Sequence, residues 1–232
     1  RLRLCIFPRY RFGRMMIIRL SCIMKALKHE NKYRFMNTLI PGGAGFMGSH
    51  FVKYILQKYP DSRVVVFDKL TYAGNLDNLK NLDQDSRFKF LQGDICDAGA
   101  LDRAIEEHKV DIIVNYAAET HVDRSIMDPR AFLMTDVIGT ETLLEAVRKH
   151  KLERMIQIST DEVYGDISVG RVDEHAPFRP SSPYAASKAG GDHLCHAYYR
   201  TYQTPVIVTH SCNFYGQNQY PEKLIPLFIT NL

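Results

Sequence analysis

Two short stretches of this chain carry the residue types and spacing for proton and hydride chemistry. The first is Ile158-Ser159-Thr160-Asp161-Glu162-Val163-Tyr164-Gly165, where adjacent carboxylates follow an apolar segment. The second is Tyr184-Ala185-Ala186-Ser187-Lys188, a phenol and an ammonium four residues apart and so on one face of a helix. Carboxylates at the end of a buried strand lose solvation, which disfavours their charged forms. In open α/β sheets, ligands sit outside the carboxyl ends of the strands. A hydroxyl acid, a cation and two carboxylates there are the groups needed to remove protons while a hydride moves. The plainer alternative is an acidic pair that only caps the following segment.

A third stretch could hold the hydride acceptor. Gly42-Gly43-Ala44-Gly45-Phe46-Met47-Gly48 is spaced G-x-x-G-x-x-G, after a short strand and at the start of a helix. Glycines allow the tight turn and let the backbone N–H groups of Gly42, Gly45, Phe46, Met47 and Gly48 approach a pyrophosphate. Asp68 closes Val64-Val65-Val66-Phe67-Asp68 and lies 20 residues past Gly48, where a carboxylate binds ribose hydroxyls. It would repel a 2′-phosphate, so NAD is expected over NADP. A glycine-rich turn without a ligand is the alternative.

These groups need a scaffold that brings strand ends together. From Met36 onward, short apolar runs alternate with helical periodicity, which predicts a doubly wound parallel sheet covered on both faces. The expected strands are Thr38–Ile40, Val64–Phe67, Phe88–Leu91, Ile112–Asn115, Met155–Ile158 and Val206–Thr209, in the order 3-2-1-4-5-6. The expected helices are Phe46–Lys58, Gly99–His108, Phe132–His150 and Tyr184–Tyr202, the last two on one side of the sheet. Within Thr135–His150, Val137, Ile138, Leu143, Leu144 and Val147 give a broad apolar face. The loop Gly165–Pro183, with Pro177, Pro180 and Pro183, either borders a substrate cleft or makes a surface excursion.

Composition narrows the function classes. With 232 residues and 45% hydrophobic content, the chain can build a core for one large domain, or one domain plus part of another. Its net charge of +4 comes from residues 1–35, which carry ten Lys and Arg residues against one acid, Glu30. Residues 36–232 hold twenty basic and twenty-five acidic residues, so no nucleic-acid partner is expected. Cys5, Cys22, Cys96, Cys195 and Cys212 are scattered and form no CxxC, which fits a reducing, cytoplasmic setting. No apolar run reaches the ~18 residues of a membrane span, so no membrane partner is expected. Residues 1–35 read as a basic N-terminal extension outside the fold, with Met36 as a natural start, in preference to a targeting peptide.

Together these segments resemble the extended short-chain dehydrogenases, and within them the nucleotide-sugar 4,6-dehydratase branch that acts on dTDP-glucose. The resemblance runs through 36–232. Besides the stretches above, Phe67-Asp68-Lys69-Leu70-Thr71-Tyr72-Ala73-Gly74-Asn75-Leu76, Gly93-Asp94-Ile95, Ala117-Ala118-Glu119-Thr120-His121-Val122-Asp123-Arg124-Ser125 and Pro221-Glu222-Lys223-Leu224-Ile225-Pro226 carry it. The glycine loop and Tyr-x-x-x-Lys mark the superfamily. The Thr-Asp-Glu triplet marks the dehydratases, because the related 4-epimerases lack the acid pair.

The resemblance implies an NAD-dependent lyase that restores its cofactor in each cycle. Tyr184, as phenolate, would take the C4 hydroxyl proton as hydride leaves C4, with the Lys188 ammonium and the nicotinamide charge favouring the ionised form. Glu162 would remove the C5 proton, Asp161 would protonate the departing C6 hydroxyl, and Thr160 would hold the C4 oxygen. Such duties require environments that split the two carboxyl pKa values. Asp94 and Ile95 would border the adenine, Ala117 and Ala118 would contact the cofactor, and Asn213 and Lys223 would contact the nucleotide sugar. A homodimer paired through the helices Phe132–His150 and Tyr184–Tyr202 is implied as well.

The chain departs from the pattern at Asp136, where relatives have Asn, and at Phe214 and Gln217, where they have Asn and Pro. It stops at Leu232, so the smaller substrate domain is expected to be largely missing and 36–232 to comprise the NAD-binding domain with the start of the substrate-binding region. A 4-epimerase, a dehydratase for another nucleotide sugar and a non-catalytic NAD-binding remnant remain as alternatives. No metal site is expected: His193 and His196 share a helical face without a second ligand cluster. His121 reads as a packing or hydrogen-bonding residue.

Overall fold

The computed structural model describes residues 36–232; the basic extension 1–35, with Cys5 and Cys22, lies outside the described residues. Six strands form one parallel sheet: β1 (Asn37–Pro41), β2 (Arg63–Asp68), β3 (Phe88–Gln92), β4 (Ile112–Asn115), β5 (Arg154–Thr160) and β6 (Val206–Ser211). Their order is β3-β2-β1-β4-β5-β6. This is the doubly wound, Rossmann-type arrangement that the alternating pattern predicted. The order reverses between β1 and β4, and a crevice opens at such a switch point.

Each strand feeds both faces because successive side chains alternate. Ile40, Val64, Val66, Ile112, Val114 and Ile156 meet Phe51, Val52 and Ile55 of helix α1 (Phe46–Lys58) on one face. Leu39, Val65, Ile113 and Met155 meet helix α2 (Ala98–His108) and the helices Gly139–His150 and Pro183–Tyr202 on the other. Phe51 is fully buried, which is worth about 2–3 kcal/mol relative to exposure, and Phe51→Ala would cost about 3–5 kcal/mol.

The segment expected as one helix from Phe132 to His150 is composite. Short helices α3 (Val122–Met127) and α4 (Pro129–Phe132) lead into a π-helical stretch, Leu133–Ile138, before α5 (Gly139–His150). The π stretch turns Ile138 outward, where it is 44% exposed. This corrects the apolar face: Leu143, Leu144 and Val147 are buried as expected, and Ile138 is not. Helix α6 (Pro183–Tyr202) begins where Ser182 accepts the Ala185 N–H at 3.0 Å and Pro183 takes the first position. Helices α5 and α6 lie on the same side of the sheet, as expected. A Cβ added at Gly191 would lie 2.5 Å from the Asp136 carbonyl oxygen, so α6 meets the π stretch backbone to backbone. A last helix, α7 (Leu224–Thr230), leaves its large apolar side chains exposed. Among the described residues, no helix is long and apolar enough to cross a membrane.

Candidate active site

The phosphate loop forms because β1 ends against a glycine in the left-handed region. Gly42 has φ +73, and a Cβ there would collide with the backbone at Tyr116 and Ala117. Gly48, in the first turn of α1, packs so closely on the Gly42 carbonyl that it too has no room for a Cβ. Gly45 caps α1 without a side-chain bond, leaving N–H groups of the first turn open. Asp68, at the end of β2, accepts the Ala44 N–H at 2.9 Å and the Leu70 N–H at 2.8 Å. Burial raises its pKa, and these two backbone bonds work against that rise. Each oxygen keeps a lone pair for a hydroxyl.

The floor comes from β4. Asn115 donates to Gln157 Oε1 at 2.9 Å and accepts the Ala117 N–H at 3.1 Å, which fixes the backbone of Ala117 and Ala118. Asp94 accepts Lys69 Nζ at 2.7 Å and the Cys96 N–H at 2.9 Å, beside Ile95.

The chemistry-bearing residues arrive from β5 and α6. After β5 comes a 3₁₀ turn, Asp161–Tyr164, where the sequence suggested only a strand running out into a loop; Thr160 starts it, its hydroxyl accepting the Glu162 N–H at 3.2 Å. Lys188 Nζ donates to the Ile158 carbonyl at 3.0 Å and lies 3.9 Å from Asp136 Oδ1. Asp136 is 1% exposed and accepts the Ser187 hydroxyl at 2.7 Å, while its Oδ1 has no hydrogen-bond partner. Burial pushes its carboxyl up to about 6, against the pull of Lys188 and Ser187.

Burial, then the neighbouring Asp136 and Glu162 carboxylates, hold the Tyr184 phenol well above its ordinary value, opposed by a bond to Thr160. The ionised phenol was expected of Lys188 together with the nicotinamide charge, and the folded chain by itself favours the neutral form. Glu162 is raised by burial and by Asp161, with Lys223 pulling the other way. A raised carboxylate is a stronger base. Lys223 donates to the Thr120 carbonyl at 2.9 Å, and burial lowers its pKa.

One cavity of about 600 Å³ joins these parts. Its walls include Gly42, Gly45, Phe46, Met47, Gly48, Asp68, Asp94, Ile95, Ala117 and Ala118 at one end, and Thr160, Glu162, Tyr184, Lys188, Asn213 and Lys223 at the other. Asp161 is not part of the wall; its carboxylate holds the Cys212 thiol, whose pKa burial and this bond push up to about 11. His121 caps α3 by accepting the Arg124 N–H at 3.4 Å, in keeping with a hydrogen-bonding role. His193 packs on Phe178, ring centroids 5.0 Å apart. Sequence reasoning missed Asn115, Cys212 and the buried Asp192 and His210, because their importance depends on neighbours distant in the chain.

The family model described as GDP-mannose 4,6 dehydratase matches residues 39–232. The dTDP-glucose 4,6-dehydratase of Actinoplanes sp. is 47% identical over 202 residues, covering 85% of this chain and 62% of that protein. The enzyme of the same name from Streptomyces niveus is 50% identical over 201 residues, covering 85% of this chain and 59% of that protein. A crystal structure of dTDP-glucose 4,6-dehydratase from Streptomyces venezuelae, solved with NAD bound, superposes with a TM-score of 0.81 at 52% identity, covering 84% of this chain and 62% of that one. The chain thus spans about three fifths of the length of the relatives it matches.

Proposed function

The chain belongs to the GDP-mannose 4,6 dehydratase family, and from that premise we propose that it is an NAD-dependent lyase converting dTDP-glucose to dTDP-4-keto-6-deoxyglucose. Residues 36–232 are read as the NAD-binding domain with the start of the substrate-binding region. The observation that carries the proposal is the single cavity in which the glycine loop and Asp68 face Thr160, Glu162, Tyr184 and Lys188. Dinucleotide fit is supported by the two glycines whose positions admit no Cβ and by the Asp68 oxygens fixed at the loop. Gly42 to Gly48 would hold the pyrophosphate, Asp68 the ribose, Asp94 and Ile95 the adenine edge, and Ala117, Ala118, Tyr184 and Lys188 the nicotinamide half. NAD, held there, would supply the transient hydride acceptor that the conversion needs between C4 and C6.

The protein moves the protons. Tyr184 takes the C4 hydroxyl proton; because the folded chain holds this phenol protonated, its acidity develops only when a positive charge enters the cavity. Lys188, tied to the Ile158 carbonyl, carries a fixed positive charge one turn away on α6. Thr160 bonds the C4 oxygen. The 4-keto group acidifies C5, Glu162 removes that proton, and protonated Asp161 gives its own to the departing C6 hydroxyl, so that one water is lost. As hydride reaches C6, Glu162 returns its proton to C5, and the proton taken by Tyr184 leaves to solvent as Asp161 is reprotonated. Asn213 and Lys223 contact the nucleotide sugar.

Incubating the purified chain with dTDP-glucose and NAD⁺ tests this reading. A 4-keto-6-deoxy product is expected. A galactose isomer would show an epimerase instead, and no product at all would leave a dinucleotide-binding remnant.

Pairing as a homodimer through 132–150 and α6 belongs to the same proposal, supported by the exposure of Leu133, Met134, Ile138 and Tyr202 in these segments. A strictly monomeric mass by light scattering at micromolar concentration would refute it. A cytoplasmic location is also proposed, supported by the free thiols of Cys96, Cys195 and Cys212.

A further inference from the structure

A hydrogen-bonded chain of buried side chains grips both ends of the acidic turn. Ser159, immediately before Thr160, donates to Asp192 Oδ2 at 2.7 Å. The same oxygen lies 3.0 Å from His210 Nε2. His210 Nδ1 lies 2.8 Å from the hydroxyl of Tyr164, the last residue of the turn. Asp192 already accepts from Ser159, so the consistent arrangement has Nε2–H donating to Asp192 and the Tyr164 hydroxyl donating to Nδ1.

Four elements meet in this chain: β5, the 3₁₀ turn, α6 and β6. Asp192 lies four residues beyond Lys188 and eight beyond Tyr184 on α6, so all three share a helical stripe. The helix that carries the phenol and ammonium is thereby tied, through Asp192, to the turn that carries Asp161 and Glu162. The side chains of His210 and Asp192 are 3% and 2% exposed. Phe178 walls them in, its ring centroid 5.6 Å from that of His210 and 5.4 Å from that of Tyr164. Burying a carboxylate and an imidazole in such surroundings is no cheaper than filling the space with apolar side chains. What the polar version adds is direction, since hydrogen bonds fix angles that apolar packing leaves loose.

We propose that His210 is a positioning residue that, through Tyr164 and Asp192, sets the placement of the Asp161–Glu162 turn relative to Tyr184 and Lys188. The inference rests on the function proposed above for its kinetic consequence, while its structural content stands apart from that function. His210 touches neither substrate nor cofactor in this scheme; it acts by holding Glu162 at reach of the C5 proton. A misplacement of about 1 Å in such a group costs on the order of 100-fold in rate.

His210→Phe keeps the ring volume and removes both bonds; His210→Gln restores a donor toward Asp192. Amide hydrogen exchange on the full chain reads the turn without any turnover. The amides of Glu162 and Gly165, bonded at 3.2 Å to Thr160 Oγ and at 3.0 Å to the Glu162 carbonyl, report its closure. In His210→Phe these two should exchange at least about tenfold faster while amides of β1 keep their protection, and His210→Gln should recover part of the loss. With dTDP-glucose and NAD⁺, kcat should fall by about 10–100-fold in His210→Phe with KM within about threefold, and His210→Gln should be intermediate. Unchanged exchange at Glu162 and Gly165 in His210→Phe would overturn the inference, as would a loss spread equally over β1, which would mark a general packing role. A parent chain that turns over no substrate would count against the proposed function, and the exchange comparison would still decide the clamp.

Discussion

Replacing Asp136 by Asn should change how stability depends on pH. In the folded chain this carboxyl is buried, its Oδ1 has no partner, and Lys188 is 3.9 Å away. Its pKa rises from 3.8 to about 6. At about 1.4 kcal/mol per pH unit, holding it ionised in the folded state at neutral pH costs on the order of 3 kcal/mol. The sign follows from proton binding. Between roughly pH 4 and 6 the folded chain keeps a proton that the unfolded chain releases, so stability contributed by protonated Asp136 is complete below the unfolded value and lost as pH rises through the folded one. Asn cannot titrate and still accepts the Ser187 hydroxyl. Removing the carboxylate also leaves the Lys188 ammonium without its buried counter-charge, which sets the intercept rather than the slope. Urea unfolding of both chains from about pH 4 to pH 8 therefore provides the comparison. The variant's stability minus the parent's should grow with pH by up to about 3 kcal/mol, most of it gained below about pH 6.5. A difference that stays flat or shrinks would refute the reasoning. Asp136 is also among the charges that raise Tyr184, so the same variant should begin proton abstraction at lower pH.

Asp68→Ala removes the acceptor for the Ala44 and Leu70 N–H groups; calorimetric titration should show NAD⁺ binding weakened by about 10–100-fold and preference over NADP⁺ reduced. Gly48→Ala forces a methyl onto the Gly42 carbonyl and should abolish dinucleotide binding before it unfolds the sheet, which circular dichroism alongside the titration would check. Glu162→Gln should cut C5 exchange with solvent deuterium by about 10²–10⁴ while hydride transfer remains possible, and Asp161→Asn should spare that exchange but slow water loss. Full dehydration rates in both variants would reduce the pair to a structural cap.

The strands and their order were legible because a parallel sheet buried on both faces writes itself as short β-branched runs. Val64-Val65-Val66-Phe67 is one such run, and it falls within β2. The glycine loop and Asp68 were legible because their function depends on local spacing. The π stretch was not, since Leu133–Ile138 carries an ordinary helical pattern, and the exposure of Ile138 was missed with it. The 3₁₀ turn was read as a loop because Asp161 and Glu162 have poor intrinsic signals for it, and the Thr160 cap that starts it reaches only two residues. The direction of the Tyr184 shift lay beyond the sequence, which shows Lys188 four residues on but not the burial of the phenol, nor Asp136 and Glu162 folded in beside it.

The seam between Gly191 and the Asp136 carbonyl constrains how this site can be redesigned. Two main chains touch there with no side chain between them, so the helix bearing Tyr184 and Lys188 is seated on peptide groups that meet only because residue 191 is glycine. Swapping side chains around the cavity can reshape its walls, but it cannot shim this joint or slide the phenol along the sheet edge. A library built to accept a different sugar would do better to vary the far wall, Asn213 and Phe214, and to leave the seat of α6 as a datum from which every other clearance is measured.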